Sequence, residues 1–387
     1  MARRIPHLEL CDLPTPIESC ERLAASSGAA GIAVKRDDLS AAAYGGNKIR
    51  KLEFLLADAR ARGAAETLTF GYAGSNFAAA TAYYAKLLGM RGISMLTSQK
   101  PAPYVLQNLR FGRVSGAELR HVPGGTRGAA IAAARRLRSL LTRGRAPYLI
   151  PVGGSSPVGV LGFVNAALEL GAQVERGETA RPDRIYIALG SMGSVAGLLI
   201  GLRLLGWDAT EIIATRALDQ TQANAAELYR LYWRTARFLR RLDPAFAFDD
   251  ANFAPRAFPW TSRGALESAA RSLPVQIREE YYGGVYGETP ASRRALDHAR
   301  QTEDLSLDPT YSGKAMAALL DDAEAGLLKN RTVLFWATYN SRPLEPLLKR
   351  QTTIALPRDF AHYEDCAPAG ETPASARRLT PGSAEAI

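Results

Sequence analysis

The chain has 387 residues, is 47% hydrophobic and carries a net charge of +10 at neutral pH. A chain this long can bury a large core and suggests two domains, and its composition is that of a soluble globular protein rather than a disordered one. Its basic residues are dispersed. The densest group, Arg135, Arg136, Arg138, Arg143 and Arg145, lies on an alanine- and leucine-rich helix without interleaved aromatics, so it reads as a solvated face and argues against a nucleic-acid partner.

An alternation of strand, glycine-containing turn and helix follows a proline-punctuated opening at Leu13-Pro14-Thr15-Pro16. A short helix leads to a strand at Gly31-Ile32-Ala33-Val34-Lys35, closed by Arg36-Asp37-Asp38. In Tyr44-Gly45-Gly46-Asn47-Lys48-Ile49-Arg50-Lys51-Leu52-Glu53-Phe54 two glycines free the backbone, and helical spacing then begins at Ile49, Leu52, Phe54 and Leu55. This helix is predicted to run to about Arg62. A strand at 67–70 enters the turn Gly71-Tyr72-Ala73-Gly74-Ser75-Asn76 and an alanine-rich helix over 77–88, with further strands at 92–96 and 147–150. A second run starts at Asp183: a strand at 184–189, the turn Gly190-Ser191-Met192-Gly193-Ser194, an apolar helix over 195–205, and strands at 211–215 and 332–338. The order predicts an α/β protein with mostly parallel sheets.

Residues 244–275 carry Phe246, Phe248, Phe253, Phe258 and Trp260 among prolines and read as an insertion, packed as a lid or at a subunit interface. Past Pro357 the composition turns to Pro, Ala, Glu, Ser and Gly, which predicts disorder beyond about residue 365. The longest apolar run, 195–202, stops at Arg203, too short for a bilayer, and the N-terminus has no apolar signal core. These features predict a cytoplasmic protein with no membrane partner. Cys11, Cys20 and Cys366 are odd in number without metal-ligand spacing, and His7, His121, His298 and His362 stand singly, so neither a disulfide framework, a metal site nor a histidine triad is supported.

Three stretches carry chemistry. Lys48 falls at or near the first turn of its helix, where the local positive potential disfavours an ammonium and makes the free amine available, as a Schiff-base lysine requires. Taken alone, the stretch also fits an ordinary turn and cap with a solvated lysine. The 190–194 turn can converge backbone N–H groups and two hydroxyls on a phosphate at a helix N-terminus. It lacks the P-loop lysine and the acidic residue of a dinucleotide site, which points to a smaller phosphorylated cofactor or to a bare tight turn. Gly74-Ser75-Asn76 repeats the geometry; Ser75 fits a substrate contact and Asn76 a bond to a phenolic oxygen, and either fits a simple helix cap.

These blocks recur together in one family. Lys35-Arg36-Asp37-Asp38-Leu39, the Gly-Gly-Asn-Lys block, Gly74-Ser75-Asn76, Ile150-Pro151-Val152-Gly153-Gly154-Ser155-Ser156-Pro157, the 190–194 turn and Leu307-Asp308-Pro309-Thr310-Tyr311-Ser312-Gly313-Lys314-Ala315 stand in family order. From about residue 10 to about 345 the chain resembles the D-cysteine desulfhydrase and 1-aminocyclopropane-1-carboxylate (ACC) deaminase family, fold type II enzymes of pyridoxal 5'-phosphate with a tryptophan synthase β-like architecture. The resemblance implies two α/β domains with the cofactor between them: a large one of residues 1–55 and 156–356 and a small one of 56–155; the 244–275 insertion in the large domain and the tail of 357–387, expected to be disordered, lie outside the resemblance. It also implies a homodimer.

Residue by residue, the resemblance makes Lys48 the Schiff-base lysine and Asn76 the partner of the pyridoxal 3′-oxygen. Gly190, Ser191, Met192, Gly193 and Ser194 become the phosphate cup, with Met192 where the family usually has glycine. Ser75 is implied beside the substrate, Tyr286 and Tyr311 as phenols facing it, Ser312 below the pyridine nitrogen, and Thr338 among the cofactor contacts. The implied reaction is α,β-elimination: an amino acid displaces Lys48, the amine takes the α-proton, a β-substituent leaves, and hydrolysis gives a keto acid and ammonia. A neutral Ser312, where the similar ACC deaminases have glutamate, favours concerted loss of a good leaving group. Phe77 replaces a polar residue, Gly74 a glutamine, and Thr338-Tyr339-Asn340 a Thr-Gly-Gly, so a larger β-substituted amino acid than D-cysteine is expected. The alternatives are ACC ring opening, β-replacement, and a non-catalytic protein that kept the fold.

Overall fold

The computed structural model describes residues 5–244, 246, 262–349 and 355–366. In chain order these form β1 (Ile17–Ser19), α1 (Glu21–Ser27), β2 (Gly31–Lys35), α2 (Asn47–Ala61), β3 (Glu66–Tyr72), α3 (Asn76–Leu87), β4 (Arg91–Thr97), α4 (Pro103–Val114), β5 (Glu118–His121), α5 (Gly125–Arg143), β6 (Tyr148–Ile150) and α6 (Pro157–Glu175). There follow β7 (Arg184–Leu189), α7 (Gly193–Leu204), β8 (Glu211–Arg216), α8 (Ala225–Leu242), α9 (Arg263–Ala270), β9 (Val275–Arg278), α10 (Pro290–Glu303), α11 (Ser312–Glu324), β10 (Thr332–Trp336) and α12 (Glu345–Lys349).

The chain divides into two compact units. The first, residues 1–61 and 153–342, holds a six-stranded sheet in the order β1-β2-β10-β7-β8-β9, parallel except for the edge strand β1. Its central strand β7 is buried from Ile185 to Leu189, an apolar run expected where helices cover both faces. One face packs α6, α7 and α8 on Ile185, Ile187, Ile212 and Trp336; the other packs α11 on Tyr186, Ile213 and Phe335. The second unit contains residues 62–152 and the described residues from Pro343 on, with a parallel sheet in the order β5-β4-β3-β6. The α/β class is therefore as the sequence implied.

Helix α2, which carries Lys48, is fixed from two sides within the first unit. Gly162 on α6 lets the helices touch: a Cβ there would lie 2.1 Å from the Arg50 carbonyl oxygen. The Arg50 guanidinium, 1% exposed, donates to Asp37 Oδ1 at 2.7 Å and Oδ2 at 2.9 Å, and to Glu169 Oε2 at 2.9 Å. Lys35 on β2 also donates to Glu169 and Gln173. Burial alone would raise the Glu169 carboxyl, but the hydrogen bonds and charges of Arg50 and Lys35 hold it at about 2. The network pins the first turn of α2 to β2 and α6.

Three details differ from the sequence reading. Helix α6 is 19 residues long and apolar enough for a membrane span by length and composition, yet it lies in the core of the first unit. Within 244–275, Phe246 is buried in that core and 263–270 form the regular helix α9, so the described part is more regular than expected; Phe248, Phe253, Phe258 and Trp260 lie outside the described residues. Residues 358–366 form three-ten turns whose Phe360 and Tyr363 are buried in the second unit, with Tyr363 Oη donating to the Gln99 carbonyl at 2.8 Å. The expected disorder past residue 366 lies outside the described residues.

Candidate active site

In the first unit the site is built at the carboxyl ends of β2, β10 and β7. The loop before α2 passes so close to its neighbours that only glycine fits: a Cβ on Gly45 would lie 2.1 Å from the Asp38 carbonyl oxygen, and Gly46 takes φ +95°. The Gly46 N–H donates to the Asp37 carbonyl and the Asn47 N–H to the Thr338 carbonyl at 3.1 Å. Asn340 closes the turn, its Oδ1 accepting from Gly45 N at 2.6 Å. Part of the expected departure at 338–340 therefore braces the lysine loop, and the Asn340 amide is committed there.

Lys48 emerges as the second residue of α2, half-buried, its Nζ 5.9 Å from the centre of the Tyr311 ring. Burial pushes the amine down to about 8, against an upward pull from Asp308. Tyr311 in turn meets Tyr286 edge-to-face at 5.9 Å. Tyr286 holds φ +56°, a left-handed conformation uncommon for an aromatic residue and of the kind kept where a side chain must be aimed.

The 190–194 turn links β7 to α7. Met192 is in the left-handed region, φ +64°, which is why glycine suits this position. Ser194 Oγ accepts from Asn47 Nδ2 at 3.1 Å, tying the cup to the lysine loop, and Ser155 Oγ donates to Ser191 Oγ at 2.8 Å. Gly193 is walled in: a Cβ there would meet Ser155 Oγ at 2.8 Å and Lys51 Nζ at 2.9 Å.

Lys51 is the residue the sequence reading missed. It sits one turn after Lys48 on α2, 1% exposed, and its Nζ donates to the Gly153 carbonyl at 3.3 Å, its one hydrogen bond among the described residues. Among the described residues no carboxylate pairs with it, and burial together with the nearby Lys48 pushes it well below the usual lysine range. A buried lysine amine without a counter-ion, beside a glycine-walled turn on a helix N-terminus, would regain its charge against a phosphate dianion, which is the chemistry of a phosphate site. The residues present therefore fit a pyridoxal phosphate: Lys48 for its aldehyde, and Lys51 with the cup for its phosphate.

Ser312 begins α11 at the foot of the same region, 1% exposed, its hydroxyl donating to Asp308 Oδ1 at 2.6 Å. The expectation of an isolated neutral hydroxyl is thus incomplete, because a carboxylate stands behind it. Thr338 is buried at the end of β10.

The remaining expected residues belong to the second unit. Ser75 caps α3, accepting from Ala78 N at 3.2 Å. Asn76 Oδ1 accepts from Asn108 Nδ2 at 2.7 Å, which orients its amide. Gly74 is required by packing, since a Cβ would meet the Tyr104 ring at 2.8 Å and Gln99 Nε2 at 3.1 Å. Phe77 is buried.

A parallel α/β fold with a depressed lysine amine and a basic cup at a strand–helix junction defines a pyridoxal-phosphate enzyme. The family model described as pyridoxal-phosphate dependent enzyme matches residues 8–338, and the chain belongs to that family. It is 31% identical over 346 residues to a putative ACC deaminase of Pyrococcus horikoshii, covering 86% of this chain and 91% of the relative. It is 34% identical over 326 residues to a D-cysteine desulfhydrase of Salmonella schwarzengrund, covering 82% and 88%. A crystal structure of an ACC deaminase homologue superposes with a TM-score of 0.70 at 28% identity, covering 90% of this chain and 97% of the other. The protein is a pyridoxal-phosphate-dependent enzyme.

Proposed function

We propose that the protein is a lyase that eliminates the β-substituent of an amino acid, giving a keto acid and ammonia, in the manner of D-cysteine desulfhydrase. The observation that carries this reading is the Lys48 amine, pushed down to about 8 and held against Tyr311. An amine in that range is a competent base near neutral pH. The cofactor supplies the aldehyde that captures the substrate amine and the electron sink for the α-carbon.

This chain's residues do the rest. Lys51 and the 190–194 N–H groups hold the phosphate, and Asn76 bonds the 3′-oxygen. Thr338 anchors the lysine loop through its backbone carbonyl beside the cofactor. Ser75 positions the substrate carboxylate, Lys48 takes the α-proton, and Tyr286 and Tyr311 line the place of the β-substituent and present phenols to the departing group. Phe77 adds bulk near the substrate. A second reading, ACC ring opening, gains from the Asp308 carboxylate behind Ser312, because that reaction needs a stronger sink. We also infer a cytoplasmic homodimer, to be tested by light scattering on the purified protein.

Steady-state assays of keto-acid release with D-cysteine, L-cysteine, ACC and bulkier β-substituted amino acids test the proposal. Release of keto acid and ammonia from β-substituted substrates supports it. Turnover of ACC alone favours ring opening, and absence of turnover with every substrate overturns both readings.

A further inference from the structure

The hydrogen bonds around Ser312 fix the position of its hydroxyl proton. Ser312 Oγ accepts the Asp308 N–H at 2.8 Å and stands 2.6 Å from Asp308 Oδ1. A carboxylate only accepts, so Ser312 is the donor in the shorter bond. The carboxylate is seated by three backbone donors, Thr310 N at 3.1 Å and Tyr311 N at 2.8 Å to Oδ2, and Ser312 N at 3.0 Å to Oδ1. Its cationic neighbours are Lys48 from α2 and Lys314 from the first turn of α11, each of which it pulls upward against burial. A charge-assisted O–H···O⁻ bond of this length is roughly twice as strong as a neutral one. The proton therefore stays on the Asp308 side, and one Ser312 oxygen lone pair is left to accept another hydrogen bond.

We propose that Asp308, acting through the Ser312 hydroxyl, keeps the ring nitrogen of the bound cofactor protonated. The chain then works with a pyridinium sink although a hydroxyl stands where the similar ACC deaminases have glutamate. This inference rests on the reading of Ser312 as the ring nitrogen's neighbour. An unprotonated ring nitrogen would set lone pair against lone pair; one proton taken from solvent on loading turns that repulsion into an N–H···O bond. Oγ keeps its own proton in the bond to Asp308 Oδ1. Asp308 is a positioning residue, with Ser312 as its contact to the cofactor. The sink is strong enough for a β-substituent that leaves poorly, which widens the substrate class beyond thiol-bearing amino acids.

The test is the ring-nitrogen 15N chemical shift of holoenzyme loaded with ring-15N pyridoxal phosphate, in the native protein and in Asp308→Asn, Ser312→Ala and Ser312→Glu. The native shift is expected in the upfield pyridinium range, with Asp308→Asn and Ser312→Ala moving downfield toward free pyridine and Ser312→Glu remaining upfield. A native shift in the free-pyridine range overturns the proposal, as does an unmoved Asp308→Asn beside a moved Ser312→Ala. If neither Ser312 variant moves the signal, Ser312 is not the neighbour and the underlying site assignment fails. Ser312→Ala keeps the carboxylate cap on Thr310 and Tyr311, so it carries the test if Asp308→Asn does not fold.

Discussion

Replacing Lys51 with methionine should move two quantities in opposite directions. In the protein without cofactor, Lys51 is a buried amine pushed well below the usual lysine range by burial and by Lys48, and among the described residues its one hydrogen-bond partner is the Gly153 carbonyl at 3.3 Å. Exchanging such a group for an apolar side chain of similar length removes the cost of burying a poorly hydrogen-bonded polar group, a gain of about 1–3 kcal/mol. In the loaded protein the same lysine would face the phosphate if it belongs to the cup, and removing one member of a buried charge pair costs about 3–5 kcal/mol. At about 1.4 kcal/mol per decade, that is a loss of at least about 100-fold in cofactor affinity. Thermal melting of apoprotein and equilibrium dialysis against pyridoxal phosphate measure the two effects, with phosphate-free pyridoxal as control. The expected result is a more stable apoprotein that binds pyridoxal phosphate far more weakly and pyridoxal about as well as the native protein. Native affinity for pyridoxal phosphate in Lys51→Met, or an equal loss for pyridoxal, would refute the assignment of Lys51 to the phosphate.

Other expectations follow from the same geometry. The rate at which apoprotein captures pyridoxal phosphate should rise with a midpoint near pH 8, because burial holds the Lys48 amine at about 8; a midpoint near 10 would mean a solvated lysine. That depression also has a stability sign: the folded value lies below the unfolded one of about 10.4, so the unfolded chain binds more protons between them. The cost of Lys48 is therefore full below pH 8 and relieved as pH rises from about 8 to about 10; because burial holds Lys314 at about 8 as well, apo Lys48→Met should show a smaller rise in denaturant midpoint than the native protein. Arg50→Met should destabilise the protein by about 3–5 kcal/mol in urea unfolding, since it leaves Asp37 and Glu169 buried without their main partner. Asn340→Gly should cost only about 1 kcal/mol, the loss of its bonds to Gly45 N and Arg342 N, and raise amide exchange at Gly45.

Elements with strong local signals were legible in the sequence. Strands β2 and β7 fall at the residues where β-branched and apolar runs end in charged or glycine-rich turns, and α2 begins at the Gly-Gly-Asn that frees its first turn. The cup was legible as small residues between a strand and a helix, with Met192 marking the left-handed position by its departure from glycine. Lys51 was not, because a lysine on a helix reads as solvated until the packing of Phe163 and Gly193 around it is known. Asp308 stood in a quoted motif without a role, since its value lies in a hydrogen bond to a residue four positions on, which spacing does not reveal. The described residues between Pro343 and Cys366 carry no sequence signal that would assign them to the second unit, since the change of composition past Pro357 reads only as a tail. Their place there depends on contacts distant in sequence, such as Arg110 with Glu364.

The central claim is that one lysine holds the cofactor covalently. Borohydride reduction of the protein incubated with pyridoxal phosphate, followed by peptide mass spectrometry, tests it directly. A single pyridoxyl adduct is expected on Lys48, absent from Lys48→Ala; a colourless protein with no adduct, or an adduct on Lys51 or Lys314 in its place, would show that Lys48 does not hold the cofactor.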